Sequence, residues 1–244
     1  MAFLRNQLCD TTRKGYRAEI QTFALWVRKT ALDVTPSDIL AYKEELEAKG
    51  LKPSTIHRRL AAIRSFYKFL SQTLNVPNPS LCVRLPRIID ESTKAVLNLQ
   101  EAVRLLSVIE TETVLGKRDR AMMALLLVNA WRTVEVSRAS VGDLHEVEGF
   151  HVIRVHGKGG RIADAKLRED VYAAIQDYLV TRTETKPDDP LFLSIGNLAK
   201  GRISPKTVQA RAKYWLQAAG IKKPHLTPHS LRHTAAVLTL SVGG

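Results

Sequence analysis

Thr227-Pro228-His229-Ser230-Leu231-Arg232-His233-Thr234, residues 227–234, is the stretch on which the reading of this chain turns. Thr227-Pro228 is a helix-entry signal, since proline at the first helical position has no N–H to lose. His229 and Arg232 then fall one helical turn apart and share a face. A histidine and an arginine on one face suit an anionic oxygen ligand better than an apolar one. His225, His229 and His233 also recur every four residues, a spacing that metal ligands use. Against that stand Pro228, which interrupts a continuous helix, and the lack of a nearby cysteine or acid to complete a shell.

The box sits in a long acid-free segment. From Pro190 to Gly244 there is no Asp or Glu, while Lys200, Arg202, Lys206, Arg211, Lys213, Lys222, Lys223 and Arg232 accumulate. A second acid-free segment runs from Ala48 to Ile89 and carries Lys49, Lys52, Arg58, Arg59, Arg64, Lys68, Arg84 and Arg87. The formal net charge is +13 with a pI near 9.9. Two separate basic segments predict two surfaces that grip one polyanionic backbone, with nucleic acid as the partner. A membrane partner is not expected, because no apolar run reaches spanning length and residues 1–10 lack a secretory h-region. The 2 cysteines, Cys9 and Cys82, fit no metal or disulfide spacing. The expectation is a cytoplasmic protein with no metal and no cofactor.

At 244 residues the chain is long enough for two cores. Thr11 or Thr12 is placed to cap a helix with Tyr16, Ile20, Phe23, Ala24 and Val27 on one face. Thr35-Pro36-Ser37-Asp38 starts a helix over 39–49 that Gly50 ends, and Lys52-Pro53-Ser54-Thr55 starts another. The last buries Ile56, Leu60, Ile63, Tyr67 and Leu70 and leaves His57, Arg58, Arg59, Arg64 and Lys68 opposite. Lys52, Ser54, Thr55, His57, Arg58, Arg59 and Arg64 are the expected DNA contacts there, joined by Arg202, Lys206 and Arg211 in the second segment. A short helix is expected before Leu85-Pro86. The domain boundaries follow: a helical DNA-binding domain over 1–84, a linker over 85–97 and a catalytic domain over 98–244. Within the last, helices are expected over 99–113, 117–129, 169–181, 204–219 and 230–240. A strand over 150–155, a Gly157-Lys158-Gly159-Gly160 turn and a strand over 161–167 are expected between them.

Two further pieces belong with the box. In Ala130-Trp131-Arg132-Thr133-Val134-Glu135 an apolar helix breaks just before an arginine, and an acid follows three residues later. Lys158 stands at the tip of the expected hairpin. Two arginines, a lysine and a histidine without an acidic metal cage suit metal-free phosphoryl transfer on DNA. Guanidiniums fork onto the nonbridging oxygens where charge develops, and a lysine or histidine manages the proton on the entering or leaving oxygen. Each residue also has an ordinary reading: Arg132 as a helix-end arginine, Lys158 as a solvated turn charge, Glu135 as a brace, and Tyr214 and Trp215 as core aromatics.

Taken together, these residues resemble the tyrosine recombinase family, which includes phage integrases and the Xer and Cre recombinases. Asn129 to Glu135 is similar to the family's Thr-Gly-Leu-Arg-x-x-Glu, Lys158 to its Gly-Lys-Gly-Gly lysine, and His229 to Thr234 to its His-x-Leu-Arg-His-Thr box. The resemblance covers nearly the whole chain. It implies a mainly α protein, with a SAM-like helical core-binding domain and a catalytic domain that is mostly helical with a small β-sheet. It implies Arg132 and Arg232 as holders of the scissile phosphate, Lys158 as general acid toward the 5′-oxygen and His229 as an aid to proton transfer. Glu135 and His233 would support them. Duplex DNA with inverted half-sites is the implied partner, bound by a dimer on a site and a tetramer in the synapse. The implied chemistry passes through a 3′-phosphotyrosyl link. Tyr16, Tyr42, Tyr67, Tyr172, Tyr178 and Tyr214 all precede the box, and none matches the family's nucleophile. The expectation is therefore a chain that binds DNA without cleaving it alone, with a non-catalytic DNA-binding regulator as the alternative. Ala130 replaces the family's usual glycine, Trp131 is bulkier than the usual residue, and Ala163 to Leu167 departs from its Val-Pro-Leu strand ending.

Overall fold

A computed structural model describes residues 2–5, 10–88, 95–157, 160–195 and 201–242. The chain divides into two compact units, Met1–Glu91 and Ser92–Gly244.

The first unit is helical: α1 (Ala2–Arg5), α2 (Asp10–Val27), α3 (Pro36–Ala48) and α4 (Pro53–Leu74). Thr35 caps α3 and forms a reciprocal box with Asp38, as the Thr-Pro-Ser-Asp pattern predicts. Asp38 also meets Lys29 at 2.8 Å, and the Lys29 and Thr35 bonds hold its carboxyl down at about 2. Ile56, Leu60, Ile63 and Tyr67 of α4 bury against Phe23, Ile39, Tyr42 and Leu46. Thr11 and Thr12 lie inside α2 rather than capping it, because the helix already runs from Asp10. The short helix expected before Leu85-Pro86 is a turn over 79–82. Pro77 and Pro79 withhold backbone donors, and Asn78 Oδ1 takes the Ser80 N–H and hydroxyl in a local turn. Val83 and Leu85 pack on this unit's core, and residues 89–94 of the expected linker lie outside the described residues.

The second unit holds α5 (Leu99–Ser107), α6 (Val114–Leu127), α7 (Thr133–Arg138), α8 (Glu169–Leu179), α9 (Pro205–Ala218) and α10 (Pro228–Val242). Between α7 and α8 lie β1 (Leu144–Val147), β2 (Phe150–His156) and β3 (Ile162–Lys166), an antiparallel sheet in the order β1-β2-β3. Both units are mainly α, as expected. The helix expected over 99–113 stops at Ser107, because Thr113 caps the next helix through the Gly116 N–H at 3.0 Å. The chain turns so tightly there that a Cβ on Gly116 would sit 1.7 Å from the Glu110 carbonyl oxygen. After α6 the chain adds three short elements not expected from the sequence: α7, a 3-10 turn over Val141–Asp143, and β1. The β1–β2 turn is Glu148-Gly149 with φ of 51° and 77°, a two-residue turn whose positive angles match the strand twist. The core is built on α6, whose residues from Ala121 to Leu127 are all buried. Against it pack Leu105, Val136, Ile153, Val171, Ile175, Phe192, Val208 and Leu231.

Candidate functional site

The exit of α6 sets up the site. Ala130 takes φ of 54°, a left-handed angle that disfavours any side chain. Trp131 then buries its indole and donates its backbone N–H to the Leu125 carbonyl at 3.1 Å. The bulky residue thus anchors the turn that delivers Arg132 to the start of α7. Glu135, one turn on, reaches back: Oε2 accepts the Arg132 backbone N–H and Oε1 accepts Nη1 of the same arginine, both at 2.7 Å. From α10, Arg232 donates Nη1 to the Ala130 carbonyl and lies 3.9 Å from Glu135 Oε2. The Glu135 side chain is 7% exposed, against 49% for Arg132 and 35% for Arg232. One buried carboxylate therefore faces two guanidiniums and leaves one positive charge uncompensated. A half-exposed site with that surplus suits an oxyanion.

His229 and His233 follow one another on α10, with ring centroids 5.4 Å apart and planes at 80°. The start of α10 is held by Ser230 Oγ, which accepts the Thr227 N–H at 3.1 Å. Thr234 is buried; it donates to the Ser230 carbonyl and accepts the Leu97 N–H, each at 2.9 Å. That bond fixes α10 to the segment entering α5. His225 stands in the turn ahead of the helix with φ of 59°. Lys158 and Gly159 lie outside the described residues. Their flanks are described: Gly157 donates its N–H to the Arg161 carbonyl at 2.8 Å, closing the base of the turn between β2 and β3.

The expected DNA contacts differ in exposure, and several already have partners within the protein. Lys52, Ser54, Arg58, Arg202 and Lys206 are exposed, while Thr55, His57, Arg59, Arg64 and Arg211 are partly covered. On α4, Arg58 pairs with Glu19 of α2, and Arg59 Nε lies 3.4 Å from the same carboxylate. His57 Nδ1 is 2.9 Å from the Pro86 carbonyl, and Arg64 donates to the Val83 carbonyl at 2.5 Å. These two staple the chain after the helix back onto it. Arg202 has an internal occupation as well: Nη1 donates to the carbonyls of Ser137, Arg138 and Ala139, and Nη2 donates to Ser140 Oγ. It neutralises the negative C-terminal end of α7, the helix that begins beside Arg132. Arg211 Nε donates to Asp119 Oδ2 at 2.5 Å, and its guanidinium lies over the Tyr214 ring.

Asp119 is the residue the sequence reading missed. Its side chain is 0% exposed, and it accepts from Arg118 at 2.8 Å, Arg211 at 2.5 Å and the Trp215 indole N–H at 2.8 Å. Arg118, itself buried, also donates to the Leu193 carbonyl at 2.9 Å. The available signal was an adjacent Arg-Asp pair at the mouth of a fully apolar helix, where a charge stays only if paired. Asn129 was missed too: its Nδ2 donates to the Lys166 carbonyl at 2.9 Å and ties the α6 exit to β3.

With the geometry in hand, the comparisons with known proteins are direct. Residues 95–240 match the phage integrase family and residues 2–73 its N-terminal SAM-like domain, so the fold is that of an integrase with its helical companion. The chain belongs to the phage integrase family. The tyrosine recombinase XerD of Caulobacter vibrioides is 33% identical over 242 residues, covering 95% of this chain and 78% of the relative. The XerH site-specific recombinase bound to palindromic difH superposes with a TM-score of 0.72 at 17% identity, over 95% of this chain and 69% of that one. A lambda integrase dimer bound to a core site superposes with a TM-score of 0.68 at 16% identity, over 94% and 82%. At those identities the two structures speak for the fold alone. Among the described residues no helix is long and apolar enough to cross a membrane.

Proposed function

We propose that this chain is the core-binding and phosphate-holding part of a site-specific DNA recombinase. The observation that carries the reading is Glu135, buried between Arg132 and Arg232 with one positive charge to spare. In this reading the two guanidiniums hold the nonbridging oxygens of a scissile phosphodiester, and Glu135 keeps them converged when no DNA is bound. Lys158 acts as general acid toward the 5′-oxygen, His229 assists proton transfer, and His233 supports it. Lys52, Ser54, Thr55, Arg58 and Lys206 contact the backbone of duplex DNA. The site is a pair of inverted half-sites, with two protomers on a site and four in a synapse, a reading supported by XerH bound to palindromic difH and by the lambda integrase tetramer bound to a Holliday junction.

Four of the 6 tyrosines, Tyr42, Tyr67, Tyr172 and Tyr178, support the further reading that these 244 residues bind without cleaving. Tyr42 and Tyr67 are buried in the first unit's core, and burial pushes the Tyr67 hydroxyl up to about 12, the wrong direction for a nucleophile. Tyr178 is buried and its hydroxyl accepts the Leu193 N–H at 3.2 Å, while Tyr172 stacks on His151. Selection of bound sequences from random duplex DNA at moderate salt tests the proposal. Enrichment of paired inverted half-sites is expected. Salt-sensitive binding with no preferred sequence would reduce the chain to a basic scaffold and favour the regulator reading.

A further inference from the structure

We propose that Arg202 is a positioning residue for the Arg132–Glu135–Arg232 site, one that sets where Arg132 and Glu135 stand by gripping the far end of α7 and touches no DNA itself. α7 has 6 residues and spans only about 9 Å, too short a helix to hold its own shape in water. Arg132 stands immediately before its first residue, and Glu135 is its third. Its bonds run from the Val136 N–H to the Arg132 carbonyl at 3.0 Å and from the Ala139 N–H to the Glu135 carbonyl at 3.2 Å. Fraying of the last turn therefore reaches both site residues within one further turn.

The last carbonyls of a helix have no partner within it. Arg202 supplies one: Nη1 donates to the carbonyls of Ser137, Arg138 and Ala139 at 3.2, 2.5 and 2.7 Å, and Nη2 donates to Ser140 Oγ at 2.9 Å. One planar fork thus meets acceptors on four successive residues, where an ammonium would reach fewer at once. The backbone beneath Arg202 makes this grip a fixed point. Arg202 pairs with Leu193 in an antiparallel bridge, Ser194 donates to the Gly201 carbonyl at 2.8 Å, and Ile203 donates to the Phe192 carbonyl at 3.1 Å. Ile203 and Phe192 are both buried. Ser137 of α7 donates its hydroxyl to the Ile203 carbonyl at 2.6 Å, and the Ala139 carbonyl also accepts the Leu191 N–H at 2.8 Å. The far end of α7 is therefore tied to this frame as its near end is tied, through Glu135, to Arg232 of α10. Arg202 is exposed, yet a phosphate gains its fork only by breaking these bonds. What the site holds rests on the recombinase reading; that Arg202 sets its geometry does not.

Amide hydrogen exchange in the 244-residue protein, without DNA, tests the grip. In R202M the Val136 and Ala139 amides should exchange roughly tenfold faster, while those of α6 and α8 keep their wild-type protection. A rise confined to Ala139, no rise at either amide, or an equal rise across α6 and α8 would each overturn the proposal. R202K keeps the charge without the fork; it should show the same local rise at smaller size, and it carries the test if R202M does not fold. Duplex affinity then separates positioning from contact. R202M should weaken binding by roughly fivefold in the wild-type background and by less than about twofold in R132A/R232A, where nothing is left to position. An equal factor in both backgrounds, with a further loss of about one unit of salt slope in the second, would put Arg202 on a phosphate of its own and overturn the proposal. If R132A/R232A itself binds like wild type, the phosphate reading fails, and the exchange result alone decides the role of Arg202.

Discussion

Helix α4 and the Arg132–Arg232 pair both present two arginines to one little-exposed carboxylate. Yet Arg58 and Arg59 are neighbours on one helix, whereas Arg132 and Arg232 come from the start of α7 and from α10. On α4, Arg58 and Arg59 share Glu19 of α2, whose side chain is only 11% exposed, and Arg64 is given to a backbone carbonyl. In the second unit, Glu135 is buried and its two arginines keep half or a third of their surface open. In the first case charge serves to hold α4 to α2, and Lys52 remains exposed at the start of the helix. In the second, a carboxylate removed from water holds two guanidiniums in a fixed pair, which is what recognition of a phosphate requires. A count of basic residues therefore overstates the DNA surface of α4 and understates the site.

Substitutions that shift this balance should differ widely in size. The largest effect is expected at Asp119, the buried carboxylate that Arg118, Arg211 and Trp215 share. D119A should destabilise the second unit by about 3–5 kcal/mol in chemical denaturation, because it strands buried Arg118 without its partner. A loss under about 1 kcal/mol would mean that the network is as dispensable as a surface pair. Next, E19Q should cost about 1 kcal/mol in stability, more than a fully exposed pair would, because the Glu19 side chain is only 11% exposed. It should nonetheless tighten binding to duplex DNA by roughly twofold to fivefold, because it frees Arg58 and Arg59. Weaker binding would show that the Glu19 pairs hold α4 in its binding pose. Then comes A130G: relief of the left-handed strain at φ of 54° should exceed the added freedom of the unfolded chain. A net gain of about 0.5–1 kcal/mol is expected. The smallest effect is that of Asp38, whose lowered pKa makes its contribution complete above the ordinary carboxylate range and lost as pH falls toward about 2. The melting-temperature difference between wild type and D38N should be constant at neutral pH and close as acid is added.

Much of this was legible in the sequence, and the illegible parts share a cause. Thr35-Pro36-Ser37-Asp38 and Pro53 carry their instructions locally, so α3 and α4 begin where the pattern says. The Arg132-x-x-Glu135 pair is local as well, and its i,i+3 spacing already implies the bond. Glu135's approach to Arg232 was not legible, since nothing local links α7 to α10 and the resemblance implied only that Arg132 and Arg232 act on one phosphate. Arg202 and Arg211 read as phosphate contacts because their partners lie 63 and 92 residues away. β1 and α7 have 4 and 6 residues, too few for either periodicity to show. The left-handed angle at Ala130 was legible only through the resemblance, whose usual glycine at that position marks a turn that a side chain stiffens.

The most direct test of the account is the salt dependence of duplex binding by wild type, R132A, R232A and the double variant. If the Glu135-held pair grips a phosphate, each single substitution should lower affinity and flatten the slope of log K against log salt by about one unit. The double variant should flatten it by about two. Slopes and affinities equal to wild type, in variants that remain folded, would contradict the assignment of this pair to the DNA backbone.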